Sequence, residues 1–469
     1  MRWGFAALVA GLALYGGGCA ASVPVALHPE MGAAAKDPVF WTATYLWTAG
    51  CALTTAGLWW TRSWWTGRRV MALAAAFAAM SVAVGWPILS ADPREYVLLA
   101  HAETLGLNPL RAPYGSIAAM GSFLPMRLAG YPHLLDPYGP VFWMLMRVLG
   151  VLPWGAALWV WHGACALAYV GGTWLVVRLY GRRQAGLVAL AWCNPVTALL
   201  MVGAAHNTVL VALALFGAAY LARGAGGWQG PAAAGLAAVG VCVNLVGIGI
   251  AAGLVAYAFR RGGRAGALSV GTFLVAFTAL YAPYGPAWRA FTNMLSPAGQ
   301  MHQAFISLVA GLTLVLPHGA AGIVWMACAG LGALVGWRLV AIDLQRAARQ
   351  RALEVVAMLG LLPLLCVASV MGWYVVPSMA FGARRPAWVV AGATFAWLSA
   401  AGGFQLLGVR QGHLTVTAVA WMSVLSLCLL GAAFVADRLA RRREGRWRRG
   451  VARSGGERSP ARGWVGGSA

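Results

Sequence analysis

The sequence predicts an all-α protein whose helices cross a membrane about 11 to 13 times. Two observations support this fold class. The 469 residues are 61% hydrophobic and only 10% charged, whereas a soluble domain carries about 25% charged residues. Uncharged apolar runs also recur from residue 4 to residue 434, and about 20 such residues cross a hydrocarbon core about 30 Å thick. A soluble fold is therefore excluded.

The apolar runs divide the chain into one membrane domain, residues 1–437, and a basic tail, residues 438–469. A long extracytoplasmic loop, residues 91–137, follows the third predicted span. The tail is rich in Arg, Gly and Ser, which predicts a disordered cytoplasmic segment. The candidate spans, several of them too short to cross alone, are 4–26, 39–60, 70–90, 138–152, 155–177, 185–203, 206–222, 231–258, 266–283, 304–317, 319–341, 352–370, 374–383, 387–408 and 413–435.

The net charge of +23 comes mainly from arginines in short loops and in the tail. The positive-inside rule explains this distribution in a cell-membrane (inner-membrane) protein, without a nucleic-acid partner. Residues 62–69 accordingly predict a cytoplasmic turn, which places Asp92 outside. The basic residues 178–183 conflict with the rule if 138–152 and 155–177 both cross. Either 138–152 enters the membrane and returns, or this loop is an exception.

The eight cysteines occur singly within apolar runs, and none belongs to a Cys-x-x-Cys motif. This pattern predicts small core residues and neither disulfides nor metal ligands. The sequence also contains no phosphate-binding glycine loop, which argues against an enzyme that uses a nucleotide sugar.

The positions of the acidic residues separate the function classes. Only 11 are present, and none lies in the middle of a predicted span, whereas ion-coupled transporters usually carry carboxylates at membrane depth. An enzyme at the outer face instead needs carboxylates just beyond a helix end, where Asp92 and Glu95 lie. Because Pro93 follows Asp92, two roles stay open for Asp92. It is a reacting group, or it is the N-cap of a helix that begins at Pro93, with Glu95 completing a capping box, and the two roles are not exclusive.

The rest of the outer loop is polar and aromatic, and loops of this length within compact proteins are more often functional than idle. Its candidate substrate-binding residues are Tyr96, Asn108, Arg111, Arg127, His133 and Tyr138.

A series of short motifs between about residues 90 and 380 resembles the C-type superfamily of membrane glycosyltransferases, especially the polyprenol-phosphate-mannose-dependent mannosyltransferases. Asp92 and Tyr96 follow an early span, and Asn194-Pro195 ends a later one. The other elements are Gly106-Leu107-Asn108-Pro109, Pro137-Tyr138-Gly139-Pro140, His206-Asn207 and Trp373-Tyr374 with Pro377. Their joint order carries the resemblance.

The resemblance implies a polytopic enzyme that transfers mannose from a polyprenyl-phosphate donor to an envelope glycan or glycolipid. Asp92 would be the catalytic base, with Glu95 as its partner or substitute. Arg111 or Arg127, together with His206, would lie near the phosphate. Asn207, Trp373 and Tyr374 would complete the substrate site. Some relatives use a divalent ion, which this sequence neither names nor excludes.

Two residues depart from the family pattern, which usually has Asp where Thr208 stands and often a basic residue where Asn244 stands. Two other function classes therefore stay open beside the transferase. One is a transporter or flippase for a lipid-linked glycan, and the other is a catalytically inactive scaffold of an envelope-assembly complex.

Overall fold

The computed structural model describes residues 2–26, 38–83, 92–102, 104–112, 138–224, 226–290, 321–346, 349–365, 372–385 and 387–397. Within these ranges every extended regular element is a helix, and β-type pairing is confined to one isolated bridge between Tyr138 and Asn244. The prediction of an all-α membrane protein is confirmed. The predicted site residues Arg127 and His133 and the predicted disordered tail lie outside the described residues.

The helices are numbered in chain order through the described residues. They are α1 (Arg2–Ala26), α2 (Pro38–Trp60), α3 (Gly67–Ala83), α4 (Asp92–Ala102), α5 (Pro140–Leu149), α6 (Trp154–Tyr180), α7 (Ala185–Ala191), α8 (Pro195–Ala198, continued as a π-helix over Leu199–Gly203), α9 (Thr208–Leu221), α10 (Gln229–Val241), α11 (Ile248–Tyr257), α12 (Gly263–Tyr281), α13 (Ala321–Arg338, continued as a π-helix over Leu339–Leu344), α14 (Arg349–Leu361), α15 (Gly372–Phe381) and α16 (Ala387–Trp397).

Three described helices are long and apolar enough to cross a membrane by length and composition. They are Arg2–Ser22 within α1, α6 and α12. A fourth crossing is formed if Arg182–Ala191 and Pro195–Gly203, which are bent by 61° relative to each other, are counted as one span. The bend falls where Asn194 caps the next helix by accepting from the Thr197 N–H. The predicted total of 11 to 13 spans stays a prediction.

Helices α1 and α2 form a tightly packed antiparallel pair. Gly11 lies against the backbone of Thr54, and Gly57 lies against the backbone of Leu8. A Cβ atom at either glycine would overlap these backbone atoms. Small residues allow such close approach of helices within a membrane, where packing rather than water exclusion drives association.

The basic loops lie together at one end of the helix bundle. A Cβ atom on Gly67 at the start of α3 would lie 3.1 Å from Val177 Cγ1 near the end of α6. Gly186 near the start of α7 packs against the carbonyl oxygen of Arg62. The basic residues 62–69 and 178–183 therefore lie at the same end, which we call the basic end.

Arginine side chains also connect helix ends at the basic end. Arg223 donates to the carbonyl oxygen of Arg178 in the last turn of α6. Arg261 donates to the carbonyl oxygen of Ala222, which directly follows α9. Cations are favourable at helix C-termini, because unsatisfied carbonyl groups carry partial negative charge there.

The basic end also holds an ion pair between α14 and the turn after α15. Glu354 lies 2.6 Å from Arg385 Nη2 and 3.9 Å from Arg384 Nη1. The hydroxyl of Tyr180 donates to the carbonyl oxygen of Phe381, the last residue of α15. Helix α15 is therefore attached to α6 and α14 at this end.

Helix α5 is relevant to the conflict over residues 178–183. It has 10 residues and spans about 15 Å, half of a hydrocarbon core. It runs beside α4 in the same direction, since Tyr138 before α5 reaches Asp92, and Gly150 after α5 packs against the carbonyl oxygen of Ala100. The crossing helix is α6, which returns the chain to the basic end. The short length of α5 favours the alternative in which 138–152 enters the membrane and returns.

The predicted span 231–258 is wrong as a continuous helix. It is divided into α10 and α11 by a break at residues 242–247. Asn244 has extended backbone dihedrals, and its side chain accepts a hydrogen bond from the Val246 N–H. A side chain that competes in this way for backbone donors favours a cap over a continued helix.

Five cysteines have described side chains, and all five are buried free thiols, which confirms their prediction as core residues. They are Cys19, Cys51, Cys165, Cys193 and Cys242.

Candidate active site

The Asp92 carboxylate lies at the end of the bundle opposite the basic end, in contact with three side chains from different elements. His206 Nδ1 lies 3.2 Å from Asp92 Oδ2. The hydroxyls of Tyr96 and Tyr138 each donate to the same oxygen over 3.4 Å. These contacts join α4, the start of α5 and the start of α9 around one carboxylate. We call Asp92, Tyr96, Tyr138 and His206 the carboxylate cluster.

The helix that carries Asp92 begins one residue earlier than the capping hypothesis requires. Helix α4 includes Asp92 as its first residue, not Pro93. An acid in the first turn of a helix is favourable whatever else it does. Contacts with Tyr138 and His206, which are far away in the sequence, are not needed for that role. They favour the reacting-group alternative.

His206 is fixed by the turn that precedes α9. Ala205 has a φ of 49°, which is an uncommon conformation for a residue with a Cβ atom. The Trp161 indole N–H of α6 donates to the Ala205 carbonyl oxygen over 2.8 Å and holds this turn in place. On its open face, the imidazole stacks on the Trp373 ring, with centroids 3.5 Å apart and planes 18° apart.

The carboxylate cluster is recessed below the end of α6. Trp161, which contacts the turn before His206, lies seven positions after Trp154, the first residue of α6. At 1.5 Å per residue, the cluster lies at a level about 10 Å from the start of α6, measured along that helix. This level is about two turns into α6.

Aromatic rings surround the carboxylate on the α4 side. The Tyr96 ring meets the rings of Tyr138, Phe142 and Trp161 edge to face, at centroid distances of 5.2, 4.7 and 5.7 Å. Burial and then the charge of Asp92 raise the pKa of Tyr96 well above its ordinary value, although hydrogen bonds from Tyr138 and the Asn207 backbone lower it. Tyr96 therefore stays a neutral hydroxyl that donates to the carboxylate.

The break between α10 and α11 supports the site from the opposite side. The Gly139 N–H donates to the carbonyl oxygen of Val243 over 3.1 Å, next to the Tyr138–Asn244 bridge. A Cβ atom on Gly139 would overlap the carbonyl group of Cys242, so this approach requires glycine. The pairing fixes the position of Tyr138.

Asn244 contacts the predicted site residue Asn207 directly. Its Nδ2 donates to Asn207 Oδ1 over 3.2 Å. The two residues are buried, with 3% and 1% of their surfaces exposed. The place where a basic residue is often seen in the resembling family is thus occupied by a neutral donor that orients Asn207.

Trp373 and Tyr374, predicted as substrate residues, do reach the site. Trp373 stacks on His206, as described above, and meets Tyr374 edge to face at 6.0 Å.

The other predicted residues of the outer loop lie further from the cluster or have a different environment. Glu95 is buried, with 2% of its surface exposed, whereas the Asp92 side chain is 15% exposed. Asn108 donates to the carbonyl oxygen of Tyr284 after α12 and caps its own turn at Leu110. Arg111 follows in that turn and is exposed. The described contacts of Asn108 and Arg111 do not join them to Asp92.

The described residues contain no group of three or more His, Cys, Asp or Glu side chains able to hold a metal ion. His206 and Asp92 form a pair within this part of the chain, and any further ligand would have to come from outside it.

Sequence reasoning missed Trp161 and Phe142, which complete the aromatic surroundings of the carboxylate. The chain has 24 tryptophans, and interfacial tryptophan is expected in membrane proteins, so composition did not distinguish Trp161. A tryptophan in the interior of a span, with a polar N–H that requires a partner when buried, is the signal that could have identified it.

The family comparison agrees with this geometry. Residues 137–369 match the model of glycosyltransferase family 87. The chain is a membrane glycosyltransferase. This confirms the recognition of the C-type superfamily and favours a transferase over a glycan transporter. The matched segment includes Tyr138, His206, Asn207 and Asn244, whereas Asp92 precedes it. No curated protein and no solved structure matches the chain.

Proposed function

We propose that this glycosyltransferase transfers a sugar from a polyprenyl-phosphate donor to an envelope glycan or glycolipid at the outer face of the cell membrane. Asp92 is the catalytic base of the proposed reaction. The observation that carries the proposal is the carboxylate cluster, in which one partly exposed carboxylate accepts hydrogen bonds from Tyr96 and Tyr138 and lies 3.2 Å from His206 Nδ1 in a membrane protein.

The proposed chemistry is a single displacement. The Asp92 carboxylate takes the proton of the acceptor hydroxyl as that oxygen forms a bond to the anomeric carbon. The bond between this carbon and the phosphate oxygen breaks, and its electron pair leaves with the phosphate. Attack opposite the leaving group inverts the anomeric centre. A positioned base typically contributes about 10² to 10⁴ in rate.

The two carboxylates of α4 differ in their suitability as the base. A base must come within about 2.6 to 3.2 Å of the proton donor. Asp92 is partly exposed within a set of donors, whereas Glu95 is almost fully buried. Glu95 therefore supports α4 or the Asp92 environment, and Asp92 meets the acceptor.

The recessed position of the cluster supports a lipid-borne donor. A polyprenyl chain stays in the bilayer while its phosphate and sugar enter the helical domain from the side, so a site at a level about 10 Å from the start of α6 is within its reach. The opposite end carries the arginine clusters, which the positive-inside rule assigns to the cytoplasm. On this basis the site opens outward and the basic tail is cytoplasmic.

Mannose is the proposed sugar because the order of motifs resembles mannosyltransferases that use polyprenol phosphate. The sugar, acceptor and linkage depend on the shape of the occupied site. Arg127 and His133 of the polar outer loop are proposed to contribute to the phosphate or acceptor side, and Arg111 would join them from its exposed turn.

Sugar transfer from radiolabelled polyprenyl-phosphate-mannose tests the proposal directly. Membranes carry equal amounts of the wild type, Asp92→Asn or Glu95→Gln, and membranes without the chain give the background. Wild-type transfer that is lost in Asp92→Asn and retained in Glu95→Gln is expected. Wild-type transfer no greater than background would contradict mannose from this donor. Glucose or galactose donors on the same lipid then test the broader proposal.

A further inference from the structure

The start of α9 contains three buried polar groups that the carboxylate cluster does not use. His206 Nε2, Asn207 Nδ2 and Thr208 Oγ1 have no hydrogen-bond partner within the described residues. The three residues are at most 1% exposed. An unsatisfied buried polar group costs about 1 to 3 kcal/mol, so three on consecutive residues require an explanation.

The backbone at this point favours negative charge. Helix α9 has 14 residues and begins at Thr208, without a side-chain cap hydrogen bond from Asn207. The Val209 and Leu210 N–H groups donate to the carbonyl oxygens of His206 and Asn207, and the helix dipole still places a partial positive charge at this end, which attracts anions. The unpartnered side-chain groups and this helix end therefore lie together.

The hydrogen bond from Asn244 determines which atom of the Asn207 side-chain amide has no hydrogen-bond partner. Because Asn244 Nδ2 donates to Asn207 Oδ1 over 3.2 Å, the oxygen is occupied and the unpartnered atom is the donor Nδ2. An amide with an occupied acceptor and a remaining donor selects for a ligand that accepts hydrogen bonds.

The position relative to Asp92 fits the geometry of a displacement. His206 presents Nδ1 to Asp92, so Nε2 faces away from the carboxylate across the imidazole ring. In an in-line reaction, the base and the leaving oxygen lie on opposite sides of the anomeric carbon. The groups at the start of α9 that do not face Asp92 are therefore the candidates for the leaving-group side.

We propose that the N-terminal end of α9 binds the phosphate of the lipid-linked donor. Asn207 Nδ2 and the Thr208 hydroxyl donate to phosphate oxygens. His206 Nε2 donates as well when both ring nitrogens carry protons. Asn244 is a positioning residue that acts through Asn207. This inference rests on the proposed function for the identity of the ligand, but binding of a lipid phosphate is measurable without sugar transfer.

The probe is farnesyl phosphate, with farnesol and inorganic phosphate as the two other arms. Affinity is measured with the purified full chain in lipid nanodiscs. Tighter binding of farnesyl phosphate than of farnesol is expected in the wild type. Competition by inorganic phosphate would indicate a site for free phosphate, whereas binding that needs the isoprenyl chain would indicate a lipid headgroup site.

The decisive variant is Asn207→Asp, which keeps an oxygen for Asn244 and replaces the unpartnered donor with a second oxygen. We expect about 10- to 100-fold weaker binding of farnesyl phosphate, because a hydrogen bond to a charged group is lost, while farnesol affinity is unchanged. Thr208→Val should weaken farnesyl phosphate binding about tenfold. The matched control is Thr197→Val, since Thr197 also has a buried, unpartnered hydroxyl but lies on α8.

Two results would overturn the inference. One is equal binding of farnesyl phosphate and farnesol by the wild type. The other is unchanged farnesyl phosphate affinity in both Asn207→Asp and Thr208→Val. If the wild type transfers sugar but the affinities do not change, the phosphate site fails and the proposed function stands. If the affinities change as expected but no lipid-phosphate sugar is transferred, the site stands and the proposed function fails.

Discussion

The two ends of the helix bundle use charge in opposite ways. At the basic end, arginines contact helix C-termini, and the acid Glu354 is paired with Arg385 over 2.6 Å. At the other end, Asp92 is held by neutral hydroxyls and an imidazole. An acid between two arginines suits a structural role, whereas contacts with two hydroxyls and an imidazole suit the catalytic role that we propose for Asp92. On this proposal the two acids have separate structural and catalytic roles.

The largest expected effect tests the catalytic half of this comparison. Asp92→Asn should lower sugar transfer by about 10² to 10⁴, because the amide cannot accept the acceptor proton. The melting temperature should change little, since the amide keeps the same size. The matched control is Asp343→Asn near the basic end, which should transfer at the wild-type rate. A similar loss in both variants would remove the distinction between the two ends.

Glu354→Gln tests the structural half. The change leaves Arg385 mostly buried without its carboxylate and should lower the free energy of unfolding by about 2 to 4 kcal/mol. Thermal unfolding in detergent measures this loss. Transfer per folded molecule should be nearly unchanged. A normal melting temperature with reduced transfer would place Glu354 with the site instead.

The stacked Trp373 and His206 rings give a smaller effect at the site end. Trp373→Leu should reduce transfer by up to about tenfold, because aromatic stacking contributes about 0.5 to 1.5 kcal/mol to holding the imidazole beside Asp92. Trp373→Phe should recover part of the rate. The exposed Trp337 serves as the control, and Trp337→Leu should leave the rate of transfer unchanged.

The smallest effect concerns the hydroxyl of Tyr96. Because its pKa is raised, chiefly by burial, the neutral form persists to higher pH than in an ordinary tyrosine. Loss of transfer through titration of Tyr96 is therefore not expected up to about pH 10. Tyr96→Phe should lower the rate by a few fold and leave the alkaline side of the pH profile in place. A profile that shifts in this variant would show that Tyr96 itself titrates.

The sequence predicted the helical class, the carboxylate and most of its partners. Apolar runs and the distribution of acids identify Asp92, and the order of motifs identifies Tyr138, His206 and Trp373 without contacts between them. Whether these residues meet depends on the direction in which each helix runs. In the structure, helices that alternate in direction through the bundle bring them together. The conflict between the predicted spans and the positive charges at 178–183 arose from the apolar run that contains α5. Such a run predicts a span even where the helix, like α5, is too short to cross.

The break at Asn244 and the role of Arg111 could not be predicted from composition. Asn244 lies within a long apolar run, where a single polar residue is compatible with a continuous helix, and only its contacts with Val246 and Asn207 reveal the interruption. Arg111 has the right charge for a phosphate ligand. Its turn is held near the end of α12 through Asn108. The pattern of charges along the sequence does not show where that turn lies.

The depth of the carboxylate cluster has a consequence for the shape of the acceptor. A hydroxyl that must travel about 10 Å along α6 to reach Asp92 has to belong to a narrow part of its molecule. The last sugar of a glycan can enter such a recess, whereas a residue in the middle of a chain would have to bring both of its neighbours with it. Under the proposed function, the end of a glycan chain would therefore reach Asp92 more readily than a residue in the middle of the chain.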